Sequence, residues 1–408
     1  MQEHLLIVGA GQAAAQAVAS LRQYGYEGRI TLVGDETHAP YQRPPLSKKY
    51  LAGQMPRERL ALRPARFYSG KGVELVLGAH AVELNPGARK VRLDDGRALD
   101  YDRLVLTTGS RVRRMDVPGA TLAGVHYLRT IDDVDGIAPA LRPGASLVLV
   151  GAGYIGLEVA AVAARLGVRV IVLEAGERVM SRVVCPLVSE YYDRRHRSEG
   201  VELHCGATVT SFVGRERVEA VETADGTRHA CDLVVVGIGV VPNVELAEAA
   251  GLACANGIAV DEHARTADER IAAAGDCTSL PHPLAPGRVR LESVQNAVEQ
   301  AKAAAASLAG TPRAYTDVPW FWSDQYDVKL QIAGLAEGAD AMAVRGDPAA
   351  GSFAVCQLRD GVLVAVEAVN RPRDFMFGKR LIAAGWSGTA AALEDPELDL
   401  STLVRPDS

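Results

Sequence analysis

Two stretches of the chain share one hydrophobic pattern: a short apolar run, a glycine-rich turn, an amphipathic stretch and a second apolar run. In the first stretch, the apolar runs at 4–8 and 30–33 flank a helical pattern that continues to about Tyr24. Short continuous apolar runs bounded by turn signals are typical of buried parallel strands. The pattern therefore predicts a strand–turn–helix–strand unit.

The second stretch repeats this plan, with apolar runs at 146–150 and 168–173 and a helical pattern to about Leu166. The tetrapeptide Gly-Val-Glu-Leu occurs at 72–75 and again at 200–203. The spacings of Asp95, Gly96, Asp102 and Gly109 recur in Asp225, Gly226, Asp232 and Gly239. Alternating runs between these markers predict a small antiparallel β-meander in each copy. We interpret the two stretches as divergent copies of one nucleotide-binding domain.

Two segments depart from the repeat. Residues 37–66 are an addition to the first copy, and the repeat stops around 314–322. Beyond that point, strand-like runs such as 362–366 indicate a third, α+β domain. The predicted fold class is therefore α/β, with two Rossmann-like dinucleotide-binding domains and a C-terminal α+β domain.

Each glycine-rich turn has the residues that a dinucleotide pyrophosphate requires. The phosphates need backbone N–H donors at a helix N-terminus and no side chain in their path. The first glycine allows a tight turn, the second a close approach, and the third, replaced by alanine in the first copy, packs helix on strand. The turn positions are Gly9, Gly11, Ala13 and Ala14 in the first copy and Gly151, Gly153, Tyr154, Ile155 and Gly156 in the second. Two such matches predict two dinucleotide sites.

Acidic residues follow the second strand of each unit, where a carboxylate normally binds the adenosine ribose. In the second copy this residue is Glu174, and in the first it is Asp35 or Glu36. Because a carboxylate accepts from a free 2′-hydroxyl and repels a 2′-phosphate, Glu174 favours NADH over NADPH. Arg178 and Arg182 follow closely, and we expect them to soften that preference.

Composition excludes several classes of function. A chain of 408 residues is too long for one core, and a formal charge of −6 gives no support for nucleic-acid binding. The first apolar run leaves no room for a signal peptide, and no apolar stretch is long enough to span a bilayer, so we expect a cytoplasmic protein. The six cysteines form neither a Cys-x-x-Cys pair nor a zinc-ligand spacing, and no metal site is expected.

Four strings resemble those of NADH-dependent ferredoxin reductases of oxygenase systems. They are Pro-Tyr-Gln-Arg-Pro-Pro-Leu-Ser-Lys at 40–48, Ala-Gly-Asp at 274–276, Leu-Glu-Ser-Val-Gln-Asn-Ala at 291–297 and Pro-Trp-Phe-Trp-Ser-Asp-Gln at 319–325. The resemblance covers nearly the whole chain and implies a glutathione-reductase-like fold with FAD in the first copy and NAD in the second. It also implies a discontinuous FAD domain (1–111 and 247–316), an NAD domain (112–246) and a C-terminal domain (317–408).

The resemblance also implies the site residues. Asp276 and Arg129 would bind FAD, while Lys48 would approach the flavin N5 edge and pair with Glu158. Further implied cofactor-binding positions are Arg43, Pro44, Val82, Thr108, Gly109, Gly237, Ile238, Gly239, Glu292, Ser293, Val294 and Trp320. A physical argument also supports the Lys48–Glu158 pair. A lysine stabilises negative charge on a reduced flavin, and the glutamate keeps the lysine ammonium charged and oriented.

Thiol chemistry is not expected, because disulfide reductases and peroxidases of this layout need cysteines early in the first domain and none precedes Cys185. We therefore expect hydride transfer from NADH to FAD, followed by single-electron transfer to a small iron–sulfur ferredoxin, of the [2Fe–2S] or Rieske type. Trp322, or alternatively Trp320, is a candidate for the electron path. The candidate docking cations are Arg313, Arg371, Arg373, Lys379 and Arg380. The basic run 194–197 is interpreted as a solvated helix face.

Two alternatives remain open at this stage. One is a reductase of another acceptor, such as rubredoxin or a small quinone. The other is a redox-sensing interaction protein like apoptosis-inducing factor, which shares parts of the motif pattern. The sequence leaves open which ferredoxin and oxygenase are served, and whether the protein is a monomer or a homodimer.

Overall fold

The first copy folds around a five-stranded parallel sheet. The computed structural model describes residues 2–395 and 398–404. Across the sheet, the strands are Ile271–Ala273, Arg103–Leu106, His4–Val8, Arg29–Gly34 and Val73–Leu77. The apolar runs predicted at 4–8 and 30–33 are both strands. The strand Ile271–Ala273 comes from beyond the second copy and completes the sheet of the first.

Helices Gln12–Gln23 and Val294–Leu308 pack together beside this sheet. Their contact faces are rich in buried alanines, including Ala17 and Ala304, and such small side chains let the helices approach closely. The remaining helices of this part are Ala65–Gly70 and Glu245–Ala249, with 3₁₀ helices at Pro44–Ser47 and Arg57–Leu60. One small sheet consists of Ala81–Asn85, Lys90–Leu93 and Ala98–Asp100. A second small sheet consists of Ile258–Ala259, Thr278–Pro281 and Arg288–Val289.

The second copy repeats the architecture, as predicted. Its parallel sheet has the order Glu202–Cys205, Arg169–Glu174, Ser146–Val150, Leu233–Val236 and Val125–Tyr127. Its helices are Ile131–Ile137, Tyr154–Arg165 and Pro186–Ser198, with a 3₁₀ turn at Ala138–Ala140, and its meander is Val209–Gly214, Val218–Thr223 and Arg228–Ala230. A two-stranded antiparallel ribbon, Ser110–Val112 with Val240–Pro242, connects the two copies.

The C-terminal part is an antiparallel sheet flanked by helices. Its strand order is Trp320–Gln325, Val328–Gly334, Val362–Val369, Ser352–Arg359 and Ala341–Asp347, and its helices are Pro372–Ala383, Ala391–Glu394 and the 3₁₀ turn Leu400–Leu403. One sheet face packs on the helix Pro372–Ala383. The other face shares a core with the second copy and with the added segment at 37–66. Three parts of the chain therefore meet around one apolar core.

Within residues 2–395 and 398–404, none of the helices is both long and apolar enough to cross a membrane.

Candidate active site

The first glycine turn forms an open cradle at a helix N-terminus. Gly9 has φ = 111°, and a Cβ there would overlap the Thr107 carbonyl, so only glycine fits. Gly11 is the N-cap of the helix Gln12–Gln23, and a Cβ at Gly11 would meet no atom of the described residues within 4 Å. Ala13 lies against Gly275 of the Ala-Gly-Asp motif, and Ala14 is fully buried. The free helix N–H groups and the open space fit a pyrophosphate.

The second glycine turn has the same design. Gly151 has φ = 100°, and a Cβ there would lie 2.6 Å from the Gly237 carbonyl oxygen. A Cβ at Gly156 would overlap the Gly151 carbonyl, which explains the glycine at the third position. Above Gly153, the space is again free of atoms of the described residues within 4 Å. Tyr154 and Ile155 begin the helix, and Ile155 is 40% exposed beside this opening.

The acid at the end of the second strand is fixed in both copies. Glu174 Oε2 accepts from the backbone N–H of Ala152 at 2.6 Å and Oε1 from that of Gly176 at 2.8 Å. The carboxylate therefore braces the glycine turn. Arg178 donates to the Val184 and Ser181 carbonyls, both at 2.9 Å, so its guanidinium is occupied by the backbone.

In the first copy, Glu36 rather than Asp35 is locked in place. Glu36 accepts from Arg43 Nη2 at 2.6 Å and from the Tyr41 hydroxyl at 2.6 Å. Arg43 also donates to the Arg129 carbonyl at 2.7 Å. The exposed Asp35 accepts from the backbone N–H of Glu36. The added segment thus holds the carboxylate of Glu36.

Asp276 and Arg129, expected at the flavin, contact each other where the first and second copies meet. Arg129 Nη2 lies 3.1 Å from Asp276 Oδ2, and Ser110 Oγ donates to the same oxygen at 2.8 Å. Arg129 Nε is buried and lacks a hydrogen-bond partner among the described residues. Thr108, just before Gly109, is fixed by two hydrogen bonds with Asn243, at 2.7 and 2.8 Å. A buried donor without a partner beside an open cradle fits a polar cofactor such as FAD.

The start of the helix Val294–Leu308 is a second place where a buried polar atom could bind a polar cofactor. Ser293 caps the helix by accepting from Asn296 N at 3.0 Å. The buried Asn296 Oδ1 has no partner among the residues that the structure describes. Glu292 forms an ion pair with Arg290. A ligand at this helix end would find an acceptor and the positive end of a helix dipole.

Other expected positions lie at the edges of these cradles. Pro44 opens the 3₁₀ turn that ends at Ser47. Val82 is 42% exposed on the strand Ala81–Asn85. Ile238 follows Gly237 at the end of the strand Leu233–Val236. The next residue, Gly239, has φ = 102° and lies close to the Arg182 guanidinium.

Lys48 and Glu158 form a nearly buried ion pair where the three parts of the chain meet. Lys48 Nζ lies 2.6 Å from Glu158 Oε2, and the two side chains are 18% and 4% exposed. Ser47 Oγ donates to the same carboxylate oxygen at 2.5 Å, and Ser323 Oγ donates to Oε1 at 2.7 Å. Glu158 thus belongs to the second copy, Lys48 and Ser47 to the added segment, and Ser323 to the C-terminal sheet.

The expected tryptophans stack on each other, and Trp322 directly precedes Ser323, which donates to Glu158. The rings of Trp320 and Trp322 lie 5.5 Å apart, and Lys379 Nζ lies 5.6 Å above the Trp320 ring. Among the candidate docking cations, Arg371 and Arg373 are ion-paired with Asp374 and Asp399. Arg380 lies over the Phe377 ring, and Arg313 is exposed. Of the five cations, Lys379 is thus the one in contact with a tryptophan.

The prediction of a solvated helix face for the basic run 194–197 is wrong for His196. Its three arginines form ion pairs at the surface of the helix Pro186–Ser198. His196, however, is fully buried and hydrogen-bonded to Gln325 at 2.8 Å. Burial lowers the pKa of His196 to about 4, so the ring is neutral at pH 7.

Two dinucleotide cradles in tandem, with a buried lysine–glutamate pair and two tryptophans nearby, define a flavin- and nicotinamide-dependent oxidoreductase. The family model "Pyridine nucleotide-disulphide oxidoreductase" matches residues 3–301, and the model "Reductase C-terminal" matches residues 320–404. The chain belongs to the pyridine nucleotide-disulphide oxidoreductase family. All six of its cysteines are free.

Individual relatives narrow this class. Rhodocoxin reductase of Rhodococcus erythropolis is 46% identical, over 98% of this chain and 94% of that one. Putidaredoxin reductase of Pseudomonas putida is 44% identical, over 98% and 97% of the two chains. The crystal structure of a covalent putidaredoxin reductase–putidaredoxin complex superimposes with a TM-score of 0.96, at 42% identity, over 98% of each chain. The resemblance to ferredoxin reductases, the fold class and the use of FAD and NAD(H) are confirmed.

Proposed function

We propose that this chain is an NADH:ferredoxin oxidoreductase that uses FAD and serves an oxygenase, either a cytochrome P450 or a Rieske dioxygenase. The observation that carries the proposal is the buried Lys48–Glu158 pair at the junction of two nucleotide cradles and the C-terminal sheet. The relatives named above, one of which forms a covalent complex with putidaredoxin, support a separate redox protein as the acceptor, and we propose a small iron–sulfur ferredoxin.

FAD is proposed for the first cradle, held by the Gly11 turn, Arg129 and Asp276, and NADH for the second, held by the Gly153 turn and Glu174. Bound flavin would supply the chemistry that the side chains lack, because it accepts a hydride from a nicotinamide and releases electrons singly. The buried donor Arg129 Nε and the acceptor Asn296 Oδ1 support the first assignment. The Glu174 carboxylate supports NADH over NADPH in the second.

Lys48 and Glu158 are proposed to act on charge. In a nearly buried site, an ammonium stabilises nearby negative charge more strongly than it does in water. Glu158 holds that ammonium at 2.6 Å, and the Pro44 carbonyl accepts from the same Nζ at 3.3 Å. These two contacts fix the direction in which Lys48 points.

Electron exit is proposed at Trp322, with Trp320 as the alternative. The stacked rings and Lys379 together form a surface with apolar and positive character. Such a surface suits an acidic ferredoxin, because complementary charge steers and orients the encounter.

The predicted domain bounds, 1–111 with 247–316, 112–246, and 317–408, are retained as part of the proposal. The pairing of Ile271–Ala273 with Arg103–Leu106 supports the discontinuous first domain. The ribbon of Ser110–Val112 with Val240–Pro242 supports crossings near 111 and 246. A cytoplasmic location is also proposed, supported by six free cysteines, which are typical of a reducing compartment.

The test is an anaerobic mixing experiment with the purified yellow protein. NADH is expected to bleach the flavin band quickly and NADPH slowly, and oxidised [2Fe–2S] ferredoxin is then expected to restore the colour. A flavin that NADH does not bleach would contradict the proposal. Bleaching without reoxidation by ferredoxins, but with reoxidation by rubredoxin or a quinone, would reassign the acceptor. Slow bleaching with NADH-dependent dimerisation would point instead to a redox-sensing protein.

A further inference from the structure

The second oxygen of Glu158 leads into a buried network of side chains. Ser323 Oγ lies 2.7 Å from Glu158 Oε1 and 3.1 Å from Gln325 Nε2. Gln325 Oε1 lies 2.8 Å from His196 Nε2, and His196 Nδ1 lies 3.0 Å from the Tyr326 hydroxyl. We call Ser323, Gln325, His196 and Tyr326 the Ser323 network.

The direction of every hydrogen bond in the Ser323 network follows from Glu158. A carboxylate only accepts, so the Ser323 hydroxyl donates to it and must accept from the Gln325 amide N–H. The Gln325 carbonyl oxygen then accepts from His196, which places the proton of the neutral imidazole on Nε2. His196 Nδ1 is left as an acceptor for the Tyr326 hydroxyl. Each residue of the Ser323 network therefore donates to the neighbour that is one step nearer to Glu158.

The strand Trp320–Gln325 explains how one segment serves two purposes. Successive side chains of a strand point to opposite faces, so Ser323 and Gln325 lie on one face and Trp320 and Trp322 on the other. Ser323 and Gln325 are 0% and 1% exposed, whereas both tryptophans are half-buried.

The far end of the Ser323 network is anchored at the surface. The Arg165 and Arg195 guanidinium groups lie 5.5 and 5.3 Å from the Tyr326 ring centre, and Arg195 forms an ion pair with Asp327 at 2.8 Å. Tyr326 has φ = 57°, an uncommon conformation for a non-glycine residue, at the turn between two strands of the C-terminal sheet. The tyrosine is therefore held in place by contacts independent of Glu158.

The Ser323 network orients rather than conducts protons. Gln325 lies in its middle, and a side-chain amide in its stable form is not an acid or a base that passes a proton on. What the network does is give Oε1 of a buried carboxylate one fixed donor, while Ser47 and Lys48 occupy Oε2. A carboxylate with both oxygens assigned cannot rotate away from Lys48 without leaving buried donors unpaired.

We propose that the Ser323 network is a positioning device for the reductase reaction. Through it, the C-terminal domain fixes Glu158, and through Glu158 also Lys48, in the orientation needed at the flavin edge. The inference rests on the proposed function, because it assumes that NADH reduces a flavin bound beside Lys48.

The kinetic test is Ser323→Ala, with Ser189→Ala as the matched control. Ser189 is also a buried serine, and its hydroxyl donates to the Val179 carbonyl at 2.6 Å, outside the Ser323 network. For S323A we expect the limiting rate of flavin reduction by NADH to fall about 10-fold, the order expected on losing a hydrogen bond to a charged group. The NADH dissociation constant should change less than about 2-fold, because among the described residues the Ser323 network makes no hydrogen bond to the glycine turn at 151–156. S189A should keep the wild-type rate.

A second variant and a spectroscopic readout keep the test decisive if S323A folds poorly. Gln325→Met should give a smaller fall in the same rate, because Ser323 keeps its own hydroxyl. In the oxidised holoenzyme with ¹⁵N-labelled histidine, the His196 signal, assigned with His196→Asn, should show a protonated Nε2 and an unprotonated Nδ1.

Three results would overturn the inference: wild-type rates in both network variants, a rate loss in S189A equal to that in S323A, or a proton on His196 Nδ1. If NADH fails to reduce the wild-type flavin, the proposed function itself fails, which is a distinguishable result.

Discussion

Removing the cation of the buried pair should destabilise the protein more than removing the anion. Lys48→Met leaves the Glu158 carboxylate 4% exposed and without a counter-charge. Glu158→Gln leaves an ammonium that is 18% exposed and still hydrogen-bonded to the Pro44 carbonyl, so it can turn towards water. Both substitutions remove the same ion pair, but K48M leaves a buried negative charge and E158Q leaves a partly exposed positive charge.

The magnitude follows from what remains around each group. Breaking a buried pair from one side costs about 3–5 kcal/mol. Because Ser47 and Ser323 still donate to Glu158, we expect K48M to cost about 3 kcal/mol, at the low end of that range. For E158Q we expect about 1–2 kcal/mol, the cost of losing charged hydrogen bonds near water. With an unfolding entropy of about 2.1 cal/mol/K per residue, about 3 kcal/mol in 408 residues lowers Tm by about 3–4 °C.

The assay is thermal unfolding at pH 7.5 with one fixed excess of FAD, because a bound cofactor shifts Tm by mass action. Lys49→Met is the matched control, since Lys49 is the exposed neighbour. The expected order of Tm is wild type and K49M highest, then E158Q, then K48M. The double variant K48M/E158Q should melt above K48M. If E158Q melts below K48M, or if K48M matches K49M, the assignment of Glu158 as a buried, paired carboxylate is wrong.

Three further predictions address specificity, pH and electron exit. Glu174→Ala should lower kcat/KM for NADH about 10–100-fold, because Glu174 also braces the turn at Ala152. It should not create a preference for NADPH, because the Arg178 guanidinium is occupied by backbone carbonyls. Steady-state kinetics with both nucleotides measure this, and an NADPH-preferring variant would refute it. His196 has a folded pKa of about 4 against about 6.5 when unfolded. The unfolded chain therefore gains a proton first as pH falls, and stability present above pH 6.5 is lost towards pH 4, by roughly 3 kcal/mol in total. Thermal unfolding at pH 7.5 and 5.0 should show a Tm difference between wild type and H196N that shrinks at pH 5.0; an unchanged difference would contradict the pKa. Trp322→Leu should slow ferredoxin reduction while leaving flavin bleaching by NADH unchanged in stopped flow; a variant in which both rates are normal would remove Trp322 from the electron path.

The nucleotide-binding sheets could be predicted from the sequence because their signal is local. The strands His4–Val8 and Ser146–Val150 begin and end where the apolar runs do. Their central place in a parallel sheet buries both faces, so the whole run must be apolar. The glycines that follow these strands could be predicted equally well, because a side chain at Gly9 or Gly151 would meet backbone atoms.

The surroundings of Glu158 could not be predicted in this way. Ser47 and Ser323 lie 111 and 165 residues away from Glu158 along the chain, and a serine has no hydrophobic or charge signal of its own. The family resemblance implied the Lys48–Glu158 pair but not the two hydroxyls. His196 lies among arginines whose charges predict an exposed face, and its hydrogen-bond partner Gln325 belongs to the distant C-terminal sheet.

Visible spectroscopy of two glycine variants distinguishes an FAD site in the first cradle from an NADH site in the second. Gly11→Val and Gly153→Val both fill a cradle at a backbone conformation that valine can adopt, with φ of −101° and −76°, and neither Cβ meets an atom of the described residues within 4 Å. Both proteins should therefore fold. G11V should be colourless, whereas G153V should be yellow but should not be bleached by NADH. A yellow G11V that NADH bleaches, or a colourless G153V, would contradict the assignment of the two sites.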